Sequence, residues 1–319
     1  MIAASLRRLL ERELAGRVEF DVPLARHTAL RIGGPADALA TPQDRQELRR
    51  LLALCADHAL PTTVLGAGFN VLVQEGGIRG VVIRLKKLRH IERLSPRTIS
   101  VEAGASHATL TRFCVENGLA GLEFGVGIPG TLGGWLAMNA GIGTREMKDV
   151  VQEIELLDRQ GRGFSRRPRA ELDFRYRALI GLEPGTLIVG AVLEVEPSER
   201  ALVQAEIDRL LARRHATQPI DQPSCGSVFR NPDGDHAGRL IEAAGLKGER
   251  EGSAEISTLH ANFIVNHGGA RARDVLALIE RARDAVEAGS GIRLETEVRI
   301  LGEPAAPTAP TMTSPGATR

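Results

Sequence analysis

The stretch GLEFGVGIPGTLGGWLAMNAG, Gly121–Gly141, holds seven glycines, one proline and the chain's single tryptophan. Glycine is costly to order, so its concentration inside a long sequence implies backbone that must approach something closely. Gly125-Val-Gly127-Ile-Pro129-Gly130 satisfies the spacing G-x-G-x-x-G. A dinucleotide-binding turn also needs a buried strand directly before that motif and a helix running on from it. Here only Leu122-Glu-Phe124 precedes, Pro129 sits inside the loop, and Gly133 and Gly134 are poor helix formers. The stretch therefore reads as the wall of a cofactor cleft and not as a Rossmann turn.

A second glycine loop, Gly66-Ala-Gly68-Phe-Asn70, lies between strand patterns at Thr62–Leu65 and Val71–Val73. Successive backbone N–H groups in such a loop form a nest for a phosphate, and an ordinary tight connection is the equal alternative. Around the two loops the chain alternates loosely between helices and strands. Leucines at helical spacing from Leu6 to Leu14, Leu48 to Cys55, Ala108 to Cys114 and Val275 to Val286 give helices. Thr41-Pro42-Gln43-Asp44 reads as a helix start with Thr41 as the cap. Strands are expected at Val18–Val22, Val81–Ile83, Ile99–Glu102, Glu153–Leu157, Leu187–Val195, Asn262–Val265 and Ile292–Leu301. The basic stretch Leu85–Arg97 reads as a solvated connection, and Pro197-Ser198 opens another helix. Turn-like connections suit antiparallel pairing, so the fold class is α+β.

The 319 residues are 43% hydrophobic and 25% charged, with 41 basic against 40 acidic side chains. No broad electrostatic pull on nucleic acid or an anionic membrane follows from that balance, and neither is expected as a partner. Cys55, Cys114 and Cys225 form no CxxC pair and no closed disulfide set, so a reducing, cytoplasmic setting is expected. No run approaches the roughly 18 apolar residues of a membrane span.

The polar stretch Cys225-Gly-Ser227-Val-Phe-Arg230-Asn231 has no base beside Ser227, so nucleophilic catalysis is not indicated. Ser227 is either a structural serine or a proton-donating hydroxyl. The histidines lack metal-ligand spacing, and no metal is expected. Glu295 and Glu297, two apart on an expected strand, would share a face with Arg293 and Arg299.

Taken in order, these motifs resemble the UDP-N-acetylenolpyruvoylglucosamine reductase (UDP-N-acetylmuramate dehydrogenase) family. The resemblance rests on Ile32–Pro35, GAGFNVLV at Gly66–Val73, GIPGTLGG with MNAG at Gly127–Gly141, Tyr176-Arg177, PSCGSVFRNP at Pro223–Pro232, HANFIVN at His260–Asn266 and LETEVRILG at Leu294–Gly302. It implies a two-part FAD-binding region of the vanillyl-alcohol-oxidase type and a smaller α+β substrate domain. The implied division is 1–86 and 87–198 for the two FAD-binding parts, with 292–302 a candidate to return to the second. Residues 199–291 would form the substrate domain, and 303–319 a disordered tail.

The resemblance further implies non-covalent FAD, with NADPH as co-substrate. Gly66, Ala67, Gly68, Phe69, Asn70, Val71 and Leu72 would hold the cofactor from one side. Gly127, Ile128, Pro129, Gly130, Thr131, Gly133, Gly134, Asn139, Ala140 and Gly141 would hold it from the other. The implied catalytic set is Arg177, Ser227 and Glu297: Arg177 and Glu297 stabilising developing charge, Ser227 giving a proton to the α carbon. Tyr176, Arg214 and Asn231 would bind the UDP-sugar substrate. The reaction implied is reduction of the enolpyruvyl group of UDP-N-acetylglucosamine enolpyruvate to UDP-N-acetylmuramate, in peptidoglycan precursor synthesis, by a monomer of the type without a tyrosine-bearing lid loop. Phe69, Leu179 and Thr217 stand where serine, serine and lysine are common. They leave a diverged FAD-binding paralogue, with another substrate or no turnover, as the alternative.

Overall fold

In the computed structural model, which describes residues 2–305, two helices cover one face of a four-stranded sheet. Helix α1 (Ala4–Leu14) ends at Ala15, which adopts the left-handed conformation at φ 44°. Strands β1 (Val18–Pro23), β2 (Pro35–Ala40), β3 (Thr62–Val64) and β5 (Ile78–Ile83) run in the order β1-β2-β5-β3. Helix α2 (Arg45–Asp57) starts one turn later than expected. Asp44 caps it, its Oδ1 accepting from the Glu47 N–H at 2.8 Å, so Thr41 is not the cap. Leu10, Leu14, Leu48, Leu51 and Cys55 pack on Ala38, Val81 and Ile83 in a shared core. Strand β2 carries no alternating pattern because it lies centrally and is buried on both faces. Its Asp37 is satisfied by the Arg79 Nη1 at 2.7 Å and the Gly80 N–H at 3.0 Å.

The second unit is an antiparallel sheet. Its strands are β6 (Ile91–Ser95), β7 (Thr98–Glu102), β8 (Val151–Leu157), β9 (Phe164–Pro168) and β12 (Leu187–Glu194), in the order β9-β8-β12-β7-β6. The basic stretch is thus not merely a connection: β6 lies in it, and Leu85 and Leu88 are buried. A hairpin of β10 (Asp173–Arg175) and β11 (Ala178–Ile180) stands off the sheet. Leu179, where a serine was expected, packs into this unit's core. Helix α3 (His107–Asn117) is capped by Ser106 and closed by Gly118 at φ 58°. Helix α4 (Leu132–Ala137) follows the glycine loop. Helix α5 (Arg200–Thr217) sets Val203 and Ile207 against Val115 and Val126. It therefore packs on the second unit, and a boundary at 198 would cut it away from its core. Arg45 joins the two units, reaching Glu102 at 3.1 Å and Glu155 at 2.7 Å.

The third unit is a sheet in the order β13-β16-β15-β14. Its strands are β13 (Ser224–Ser227), β14 (Arg250–Glu251), β15 (Ala254–Ile256) and β16 (Phe263–Asn266). Its core takes in helices α6 (Ala237–Ala243) and α7 (Ala272–Ser290), whose apolar stripe Val275, Leu278, Ile279, Ala282 and Val286 is buried. Leu30, Ile32 and Leu72 of the N-terminal part complete that core.

The expected strand Ile292–Leu301 is regular only as β17 (Arg299–Leu301). It runs parallel to β4 (Val71–Val73), so it returns to the first unit and not the second. Glu303 bridges Gly77. The rest of the expected tail, residues 306–319, lies outside the described residues.

Candidate functional site

All three units converge on one cleft of about 780 Å³. The first glycine loop enters it from the end of β3. Asn70, at φ 53°, donates its backbone N–H to the Cys225 carbonyl at 3.1 Å and its Nδ2 to the Glu297 carbonyl at 3.3 Å. The loop is thereby tied to the third unit. Gly66 meets the second loop: a Cβ on it would lie 3.1 Å from the Thr131 Oγ1.

The second loop turns through Gly127 at φ 74° and Gly130 at φ 131°, and α4 begins only at Leu132. Trp135 is buried beneath it. Its six-membered ring lies where a Cβ on Gly125 would come within 2.6 Å, and its indole N–H has no partner. A side chain larger than hydrogen at Gly125 would collide with that ring, which accounts for one of the glycines.

Of the residues expected to hold a cofactor, Gly66, Ala67, Phe69, Asn70, Val71, Ile128, Pro129, Gly130, Thr131, Gly133, Gly134, Ala140 and Gly141 line the cleft. Four do not. Gly68 packs on the backbone of His27 and Thr28, Gly127 packs on Arg214, and Leu72 is core. Asn139 is fully buried, with its amide spent on Glu146 (2.8 Å), the Arg175 carbonyl (3.1 Å) and the Lys148 N–H (3.0 Å). It ties elements together behind the cleft and does not face into it.

Arg177 is the second residue of the two-residue turn joining β10 to β11, at φ 55°. That conformation suits glycine or asparagine, so a long cationic side chain there is strain held by its surroundings. Its Nε lies 3.4 Å from Glu297 Oε1 and its Nη1 3.6 Å from Glu146 Oε1. Burial pushes the Glu297 carboxyl above the usual carboxylate range, against the pull of Arg177 and Arg230. Ser227 ends β13, opposite Phe263, and lines the same cleft as Arg177 and Glu297. The Glu297 N–H bonds the Val228 carbonyl at 2.8 Å, which holds its segment beside Ser227.

Glu295 does not share Glu297's face. Residues 292–298 form no regular strand, and Glu295 is 78% exposed beside Arg230. Arg293 pairs with Glu287, while Arg299 lines the cleft.

The structure brings Tyr176 and Asn231 together outside the cleft lining. The Asn231 N–H points to the Tyr176 hydroxyl at 3.4 Å, and the Asn231 Oδ1 accepts from Ala237 at the start of α6 at 3.0 Å. Thr217 is turned onto its own helix, its hydroxyl donating to the Arg213 carbonyl at 2.9 Å. Cys225 is buried, its thiol pushed up to about 12, which makes it inert.

Two cations in the cleft wall were not assigned this way from sequence. Arg84 donates to the His27 Nδ1 at 2.8 Å, and its Nε is buried without a partner. His27 is held below its usual range by burial and by Arg84 itself, so it is a neutral acceptor. Arg214 donates to the Gln218 Oε1 at 2.6 Å, and its Nε is likewise unpartnered. Burial lowers its guanidinium to about 10. Neither arginine has a carboxylate partner among the described residues. Such half-buried, unneutralised cations, each with a buried Nε, are costly unless an anion joins them. The run of basic residues from Arg84 onward was the available signal for the first. Among the described residues no cluster of His, Cys, Asp or Glu is arranged for a metal ion.

Comparison with known proteins gives a consistent result. Residues 218–301 match the family model for the UDP-N-acetylenolpyruvoylglucosamine reductase C-terminal domain, and residues 36–164 match an FAD binding domain. The chain is 46% identical over 294 residues to UDP-N-acetylenolpyruvoylglucosamine reductase of Geobacter sulfurreducens, covering 92% of this chain and 97% of that protein. It is 48% identical to the protein of the same name from Anaeromyxobacter dehalogenans, covering 92% and 88%. The crystal structure of UDP-N-acetylenolpyruvylglucosamine reductase from Thermus caldophilus superposes with a TM-score of 0.78 at 36% identity, covering 90% of this chain and 99% of that one.

Proposed function

The chain belongs to the UDP-N-acetylenolpyruvoylglucosamine reductase family, and from that premise we propose how its cleft performs the reaction. The protein is an FAD-dependent oxidoreductase that uses NADPH to reduce the enolpyruvyl group of UDP-N-acetylglucosamine enolpyruvate, a step of peptidoglycan precursor synthesis.

The residues present fit FAD. Two glycine loops meet at Gly66 and Thr131, and a Cβ on Gly134 or Gly226 would project into open space. The unpartnered Nε atoms of Arg84 and Arg214 supply positive charge for a diphosphate. When bound, FAD relays a hydride from NADPH to the substrate. Gly66, Ala67 and Phe69 of the first loop and Gly130 and Thr131 of the second line the cleft and would hold it through backbone N–H groups. Arg214 lies against Gly127 of the second loop, which supports a cofactor role in place of the substrate role expected from sequence.

The rest of the chemistry belongs to the side chains of the cleft. Arg177 orients the substrate carboxylate and stabilises charge that develops as the double bond is reduced. Glu297, beside Arg177 in the same cleft, shares that task. Ser227 supplies the proton to the α carbon. Tyr176 and Asn231 stand beside each other for the UDP portion, the asparagine amide oxygen being already used by α6.

The observation that carries this reading is the joining of Arg177, Ser227 and Glu297 to both glycine loops in one cleft. The purified protein is expected to be yellow, to bleach with NADPH, and to recover colour when UDP-N-acetylglucosamine enolpyruvate is added. Bleaching without recovery would contradict the substrate assignment. Ser227→Ala should still bleach but recover at least 100-fold more slowly, by analogy with loss of a general acid; a normal recovery rate would remove Ser227 from its role.

Three buried, unpaired cysteines agree with a reducing, cytoplasmic setting. No helix among the described residues is long and apolar enough to cross a membrane.

A further inference from the structure

The Arg177 guanidinium faces two carboxylates, and only Glu297 enters the chemistry described so far. The second, Glu146, is as well buried as the first: their side chains are each 15% exposed, and that of Arg177 is 21% exposed. Glu146 is locked from behind. Its Oε2 accepts from the Asn139 Nδ2 at 2.8 Å and lies 2.8 Å from the Lys148 Nζ, while its own N–H donates to Asp149. Asn139 also holds the Arg175 carbonyl, fixing the hairpin that carries Arg177. Gly141 leaves room for this arrangement: a Cβ there would lie 2.7 Å from the Glu146 Cγ.

We propose that Glu146 is a positioning residue for the reduction: it holds the Nη1 edge of Arg177, aims the Nε edge at Glu297 and the cleft, and divides the arginine's charge between the two carboxylates. The claim rests on the reductase reading above. Both contacts, at 3.4 and 3.6 Å, are longer than the 2.7–2.9 Å of a closed charge-assisted bond. The guanidinium, whose Nη2 also donates to the Gly141 carbonyl at 3.4 Å, is held at long range by all its partners and can shorten a bond to an incoming carboxylate. Because Glu146 takes part of its charge, Arg177 depresses the Glu297 carboxyl less than it would alone. The other charged or titratable groups facing Glu297 are Arg230 and the Cys225 thiol, with Arg299 in the same cleft wall. Those facing Glu146 are Lys148, Arg177 and Asp149, with Arg169 behind Lys148.

The two half-reactions separate the effect from general damage. In the FAD-loaded protein, flavin bleaching by NADPH and colour recovery with UDP-N-acetylglucosamine enolpyruvate are followed by stopped flow across pH. Glu146→Gln keeps size and a hydrogen-bonding oxygen but removes the charge. It should leave bleaching within about twofold of wild type, slow recovery by roughly 10- to 100-fold, and move the recovery limb set by Glu297 to lower pH. Glu146→Asp should restore part of the rate.

Lys148→Met provides the opposite perturbation and leaves both buried carboxylates in place, removing only the cation that pairs with Glu146. It leaves Glu146 unneutralised, so Glu146 draws Arg177 away from Glu297, and the same limb should move to higher pH. Limbs that move in the same direction in the two variants, or that do not move, overturn the proposal. So does equal slowing of bleaching and recovery, which is the signature of a merely structural residue. If Glu146→Gln does not fold, the Lys148→Met shift alone decides. A wild-type protein that bleaches but never recovers would instead refute the reductase reading and leave Glu146 out of the matter.

Discussion

Replacing Arg214 by methionine should act in opposite directions on the empty protein and on its affinity for FAD. The guanidinium sits on α5 against Gly127, with one neutral partner, Gln218, and an unpartnered Nε. Its fall to about 10 through burial corresponds to roughly 3 kcal/mol of desolvation, at about 1.4 kcal/mol per tenfold. Methionine fills much of the same volume and removes that penalty, but loses the Gln218 hydrogen bond, worth about 1 kcal/mol. The FAD-free variant should therefore be as stable as wild type, or more stable by about 1–2 kcal/mol. In the loaded protein the guanidinium's hydrogen bonds to phosphate disappear, at about 1.5–3 kcal/mol. The FAD dissociation constant should rise roughly 10- to 100-fold. Quenching of flavin fluorescence gives the dissociation constant, and urea unfolding of FAD-free protein gives the stability. Arg214→Lys keeps a point charge without the fork and should fall between. An unchanged FAD affinity combined with a destabilised FAD-free protein would make Arg214 a packing strut and refute the charge argument. A change confined to the KM for the UDP-sugar would return it to the substrate.

Three further outcomes follow from the same geometry. Asn139→Ala strands the Lys148 N–H and the Arg175 carbonyl and should cost about 2–4 kcal/mol in urea unfolding; a loss below about 1 kcal/mol would mean that water replaces the amide. Gly68→Ala forces a Cβ into the His27 and Thr28 backbone at φ 79°, and about 3 kcal/mol or more of destabilisation is expected, with weakened FAD binding. His27 titrates below its usual range in the folded protein, so below about pH 6.5 the unfolded chain takes up a proton that the folded one resists, and stability falls as pH falls. His107 and His260 act in the same direction, so His27→Gln should flatten that acid limb in part, as read from unfolding midpoints between pH 5 and 8; a steeper limb would count against the neutral His27.

The glycine loops and the long amphipathic helices were legible because their signals are local. Val275 to Val286 repeats at helical spacing and is buried as one stripe. Strand β2 was not, since burial on both faces erases alternation, and β6 was hidden by the charges on its exposed side. The strand expected at 292–301 is regular only at its end because residues 295–298 make isolated contacts with Val228, Phe229 and Arg230 and no continuous ladder. Within the site, sequence put residues into the right loops but could not say which atoms face inward. Asn139 differs from expectation for that reason: its amide is consumed by Glu146, Lys148 and Arg175. Glu146 carried no motif, because its importance lies in a contact with Arg177 from a distant hairpin.

The pairing of β17 with β4 has a temporal meaning. Arg299–Leu301 completes a ladder begun by Val71–Val73, and the Gln74 side chain reaches the Gly302 carbonyl across 228 residues of sequence. During synthesis the first glycine loop and its strand exist long before their partners, and Asn70 waits for both Cys225 and Glu297. Contacts of such separation carry a large loop-closure cost and form late. The cleft is therefore finished last, by the segment that delivers Glu297, and a nascent chain interrupted before residue 297 carries folded pieces of an FAD site with nothing to close it.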